Sequence, residues 1–206
     1  MIDISGWNSA FKKSAAGSFR ACAAAGIDHA YIKASEGRSH TFDRFLELAV
    51  AGCEQGLQVG AYHFARPDVR LGDAESEGDA FLKVIQGVPL QLAPVLDIET
   101  AKDWLGDTKG LIDWCIDWCQ HVYKSTHRKP IIYTGPGFWA SSLGRTTVLQ
   151  DLRLWVAAYP KALPSSDSKP PTLAGWQPVA WQYTGQGRVQ GLDGVVDLSY
   201  VYGDMT

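Results

Sequence analysis

The 206-residue sequence contains no apolar run near the roughly 18 residues that a membrane-spanning helix needs, so insertion into a membrane is not expected. It has no surplus of positive charge. Nineteen Lys and Arg face 22 Asp and Glu, a net charge of −3, which argues against nucleic acid as a partner. Cysteine is scarce. Cys22, Cys53, Cys115 and Cys119 have no disulfide-framework spacing and read as buried thiols. Cys115 and Cys119 share a helical face near His121, but a metal site needs further ligands, so neither metal nor cofactor is expected. Residues 1–5 lack the basic and apolar regions of a secretory signal, so synthesis in the cytoplasm without a signal peptide is expected. Internal repeats and low-complexity segments are missing. Gly135-Pro136-Gly137 does not make a phosphate loop, and there is no G-x-S-x-G nucleophile elbow.

Apolar and aromatic residues are plentiful. Hydrophobic residues make up 46% of the chain, with 8 Trp, 8 Tyr and 7 Phe, which is ample for a core and too much for a disordered chain. The length favours one domain. Strand-like and helix-like segments alternate. Strands are predicted at 2–5, 29–35, 58–65, 93–99, 130–135, 154–159, 179–184 and 195–201. Helices are predicted at 7–25, 42–55, 73–86 and 107–125, with one helical turn near Phe138. Five prolines between 160 and 178 forbid a long helix there. The Gly-rich stretch 185–194 is too short for a helical crossover, so the last two strands should form an antiparallel hairpin. The pattern predicts an α/β fold: an irregular, TIM-like (β/α)5(β)3 barrel without helices on its last three strands.

The segment Pro94-Val95-Leu96-Asp97-Ile98-Glu99 runs from apolar residues into two carboxylates at i and i+2. Such positions share one face of a strand. At a strand's C-terminal end they stand on the rim where barrels do chemistry. Neighbouring half-buried carboxyls resist ionising together, so one stays protonated as an acid, which is what cleavage of a glycosidic bond requires. The bland alternative is a pair of solvated strand-end acids. Asp3 in the first strand and Asp197 near the start of the eighth add to the pattern. With the eighth strand antiparallel, both reach the same rim. Asp3 as a helix N-terminal charge and Asp197 as a turn residue are the plainer readings.

Eight segments occur in order: MIDISGWN at the start, YIKASEG at 31–37, GAYHFARP at 60–67, PVLDIE at 94–99, PIIYTG at 130–135, LWVAAY at 154–159, AWQYT at 180–184 and VDLSY at 196–200. Together they resemble the glycoside hydrolase family 25 lysozymes, the Chalaropsis-type muramidases, over nearly the whole chain. The resemblance implies hydrolysis of the β-1,4 bond between N-acetylmuramic acid and N-acetylglucosamine in peptidoglycan. Glu99 resembles the general acid/base, and Asp97 the partner that stabilises positive charge at the sugar C1. Asp3 and Asp197 look like flanking acids that tune this pair. Attack on C1 by Asp97 and attack by the substrate's 2-acetamido group are both open, with substrate assistance favoured. Asn8 stands where the family often has Gln, and Met1 where it usually has Gly.

One catalytic domain over 1–206 without a separate wall-binding module is expected, acting as a monomer, and the lack of a signal peptide suggests action on the cell wall after release or injection, as in a phage endolysin. A non-catalytic glycan-binding barrel and a glycosidase for chitin-like polymers are the rival readings. Sugar sites use aromatic platforms, and Tyr62, Tyr133, Tyr159 and Trp181 lie at or near strand C-terminal ends. Lys33 and Arg66 are candidates for binding acetamido or carboxyl groups. Core packing is the alternative for the aromatics, and solvated charge for the cations. His63 should face away from Tyr62 as a structural histidine. Trp114 and Trp118 read as core.

Overall fold

The computed structural model describes residues 1–8, 11 and 14–206. The chain runs β1 (Ile2–Ile4), α1 (Ala15–Ala24), β2 (His29–Glu36), β3 (His40–Thr41), α2 (Phe45–Glu54), β4 (Gln58–Phe64), α3 (Asp73–Ile85), β5 (Val95–Asp97) and α4 (Thr108–Thr126). It continues with β6 (Ile131–Thr134), α5 (Pro136–Ser141), a 3-10 turn (Val148–Asp151), β7 (Arg153–Ala157), β8 (Pro178–Gly187) and β9 (Val196–Val201). Residues 9, 10, 12 and 13 of the helix expected over 7–25 lie outside the described residues. The described part begins at Ala15, where the Ser14 side chain accepts a hydrogen bond from the Gly17 amide at 3.1 Å.

Eight strands close into a barrel in the order β1-β2-β4-β5-β6-β7-β8-β9, with β9 returning to β1. All neighbours are parallel except β9, which is antiparallel to both β8 and β1. Helices follow the first five barrel strands, and none separates β7, β8 and β9. This is the predicted (β/α)5(β)3 arrangement. The two-residue strand β3, unforeseen from the sequence, folds back on the end of β2 as a flap.

Side-chain alternation splits the core into two layers. Inside the barrel, Met1, Tyr31, Leu92, Val95, Ile131, Trp155, Ala180 and Met205 fill its lower half. The Tyr31 hydroxyl donates to the Ala93 carbonyl at 3.0 Å, so its one polar atom is satisfied there. Between barrel and helices, Phe19, Phe45, Phe81, Trp114, Trp118 and Trp139 make the outer layer. Above this stacked lower half a hollow opens at the C-terminal ends of the parallel strands.

Two strands differ in length from expectation in a way that matters. β5 covers only Val95–Asp97, because the Ala93 amide donates to the Met205 carbonyl and Pro94 has no N–H to give. β7 stops at Ala157, leaving Tyr159 beyond it. Cys22, Cys115 and Cys119 are buried, whereas Cys53 is only half-buried, with its thiol against the Pro89 carbonyl. His63 faces outward and is fully buried. It shares hydrogen bonds with Ser35 at 2.8 Å and Glu77 at 2.7 Å and stacks on Trp118.

Candidate active site

A cavity of about 280 Å³ opens at the C-terminal rim. Its walls carry Asp3, Asp97, Glu99 and Asp197, four acids from three separate parts of the chain. Barrel closure brings them together. Asp3 on β1 sits directly opposite Asp197 on β9, because β9 runs antiparallel and begins at this rim.

Asp97 and Glu99 do point into one cavity. Ile98 between them is fully buried in the outer layer, and its amide donates to the Tyr133 carbonyl at 3.0 Å. The Thr134 hydroxyl donates to the Ile98 carbonyl at 2.7 Å. These bonds hold the backbone extended past the formal end of β5, so Glu99 keeps the parity of Asp97. Asp97 is 7% exposed and Asp3 8%, Asp197 is half-buried and Glu99 stands exposed at the mouth.

Burial and crowding raise the proton affinity of all four acids. Asp97 is pushed well up by desolvation, then by the charges of Glu99 and Asp3, with Lys33 pulling the other way. Asp3 is raised by desolvation and by Asp197, and opposed by a hydrogen bond from Gln182. Glu99 is raised by desolvation and by Asp197, against Lys33 and Arg66. Desolvation raises Asp197 despite a hydrogen bond from the Asn8 amide, whose Nδ2 lies 3.2 Å away. The cluster therefore holds protons above the ordinary carboxylate range. Among the described residues, Asp97 Oδ1 is buried without a hydrogen-bond partner. An acceptor facing an open cavity in this state is ready for a donor from outside.

The remaining predicted site residues divide. Tyr62 and Tyr133 line the cavity, Lys33 stands on its wall, and Tyr159, 62% exposed, stands at its rim. Trp181 does not reach it. That indole packs in the outer layer and its N–H donates to the Ala158 carbonyl at 2.6 Å. Arg66 is also outside the lining. Its guanidinium lies over the Phe64 ring at 4.6 Å and donates to Glu36 at 2.8 Å. Lys33 Nζ lies 4.7 Å from the centre of the same ring and donates to Glu36 at 2.5 Å.

Residues missed from the sequence include Gln182, Phe64, Trp155 and Trp7. Trp7 is 92% exposed at the rim, in a stretch read as helix. Gln182 was findable: it shares strand parity with Ala180, inside the barrel, whereas Trp181 has the opposite parity. No group of three His, Cys, Asp or Glu side chains among the described residues is arranged to hold a metal ion. No helix among them is long and apolar enough to cross a membrane.

The sequence model of the family described as "Glycosyl hydrolases family 25" matches residues 2–192. Lysozyme M1 of Streptomyces globisporus is 32% identical over 95% of this chain and 65% of its own length. The autolytic lysozyme of Clostridium acetobutylicum is 28% identical over 87% of this chain and 50% of its own. The chain thus spans between half and two thirds of these relatives. The crystal structure of the lysozyme from Streptomyces coelicolor superposes with a TM-score of 0.82 at 28% identity, covering 98% of this chain and 91% of that one.

Proposed function

The chain belongs to glycosyl hydrolase family 25, and from that premise we propose that it is a lysozyme acting as an N-acetylmuramidase. Its substrate is the β-1,4 bond between N-acetylmuramic acid and N-acetylglucosamine in bacterial peptidoglycan. The observation that carries this reading is the single cavity lined by four acids, with Asp97 Oδ1 buried and unpartnered beside Glu99.

Glu99 acts as general acid. Desolvation and the charge of Asp197 favour its protonated form, and its position at the mouth gives it access to a bridging oxygen. As Glu99 donates its proton to that oxygen, the C1–O bond breaks and the leaving sugar departs as an alcohol. The carbonyl oxygen of the 2-acetamido group bonds to C1, forming a cyclic oxazolinium. Asp97 accepts the acetamido N–H on its free oxygen and offsets the positive charge. Glu99, now a carboxylate, takes a proton from a water that attacks C1. The ring opens to the acetamide, and the configuration at C1 is retained. Asp3 and Asp197 supply the charge that keeps a proton in the cluster. Tyr62, Tyr133 and Tyr159 offer ring faces and hydroxyls to the sugars, and Lys33 a hydrogen-bond donor. The whole of 1–206 works as one catalytic barrel on the wall, reached after release or injection.

Mass spectrometry of fragments solubilised from purified peptidoglycan tests the product. The expected fragments end in reducing muramic acid. Reducing N-acetylglucosamine ends, or equal turnover of chitin oligomers, would contradict the proposed bond specificity.

A further inference from the structure

Gln182 projects from β8 into the barrel and is 2% exposed. Its side-chain amide makes three hydrogen bonds. Oε1 accepts from the Tyr133 hydroxyl at 2.9 Å and from the Tyr159 hydroxyl at 2.6 Å. Nε2 donates to Asp3 Oδ2 at 2.9 Å. A primary amide has one accepting end and one donating end. Two phenols directed at the oxygen leave only the nitrogen to face Asp3.

We propose that Gln182 is a positioning residue of the acid cluster: its oriented amide presents a donor rather than an acceptor to Asp3 Oδ2, which opposes retention of the cluster's proton there and favours the carboxyls nearer the cavity mouth. The groups facing Asp3 make that choice consequential. They are Asp197 from β9, Asp97 and Glu99 from the end of β5, Tyr62 of β4, Tyr133 of β6, Tyr159 beyond β7, and the Met1 amine. All but the amine are acids, and they compete for few protons. A proton on Asp3 is remote from any leaving oxygen. It also removes a negative charge from beside Glu99, which then ionises at lower pH. The Gln182 N–H opposes this by favouring the ionised form of Asp3. The reversed amide is the physical alternative: a protonated Asp3 would donate to Oε1, and the phenols would accept from Nε2. The two arrangements predict opposite responses when the amide is removed.

The catalytic part of the inference rests on the lysozyme reading, whereas the titration part does not. The experiment is a carboxyl-carbon NMR titration of Asp3 in the full chain, with the pH dependence of kcat/KM on peptidoglycan measured alongside. In Gln182→Leu the Asp3 midpoint should rise by about one pH unit, the size of one hydrogen bond to a charged group. The basic limb of kcat/KM should move to lower pH. Gln182→Glu, which keeps the shape of the side chain, should also raise the midpoint and covers the case in which the leucine variant does not fold. Tyr159→Phe should leave the midpoint in place, because Tyr133 still donates to the amide oxygen. A midpoint that falls, or does not move, in Gln182→Leu and Gln182→Glu overturns the proposal. A midpoint that rises in a protein whose wild type releases no reducing ends supports the amide's role and overturns the lysozyme reading instead.

Discussion

Asp3 illustrates how a single side chain in this cavity trades stability for chemistry. Its carboxyl is buried opposite Asp197, and its proton affinity in the folded chain is raised above the unfolded value. The folded state therefore binds this proton more tightly than the unfolded one. Stability contributed by the group is fully present below about pH 4 and declines as pH rises from there toward the raised folded value. Asp3→Asn keeps an acceptor for Gln182 and removes the charge. Thermal unfolding should find this variant more stable than wild type by roughly 1–3 kcal/mol near pH 8, with the gain shrinking toward pH 4. A constant or reversed difference across that range would contradict the electrostatic account. At this scale the carboxylates were legible in the sequence, because charged residues inside apolar strands stand out. Gln182 stands out less, because a glutamine between aromatic residues carries no such contrast and only its strand parity marks it. Trp181 was misjudged for a related reason: its size suggested a sugar platform, while its parity put it against the outer layer.

The strands decide which side chains reach the cavity, and irregularities in them do much of the work. β2 carries a bulge between Lys33 and Ser35 against β4. A regular strand would turn both residues to one face. The bulge sends Lys33 to the cavity and Ser35 outward to His63, where it completes the buried bond to Glu77. The next strand accommodates the barrel's filling. A Cβ at Gly60 would stand 2.3 Å from Tyr31 Cε1, and Tyr31 is fully buried with its hydroxyl committed. Gly60→Ala should lower stability by about 2 kcal/mol or more in denaturant unfolding. Unchanged stability would mean that Tyr31 is not fixed against β4. Most strands and helices could be read from apolar periodicity and from the glycines that end α1 and α2. The bulge, the flap strand β3 and the late start of β5 could not, because they depend on partners remote in sequence, such as Met205 for Ala93.

At the scale of the whole molecule, the antiparallel return of β9 is what brings a carboxylate from near the end of the chain beside one from its start. The three helix-free strands and the hairpin follow from prolines and a short glycine-rich connection, so this architecture was legible in advance. The pairing of Asp3 with Asp197 depends on barrel closure and only the assembled sheet gives it. Closure also leaves a hollow above a packed interior, and four acids line it. The most direct test of their joint action is the rate at which reducing ends are released from purified peptidoglycan by wild type and Glu99→Gln, each checked for the same unfolding temperature. The account predicts steady release by wild type and a loss of at least about 100-fold in the variant, the scale of general acid catalysis. Release by Glu99→Gln within a few-fold of wild type would contradict it.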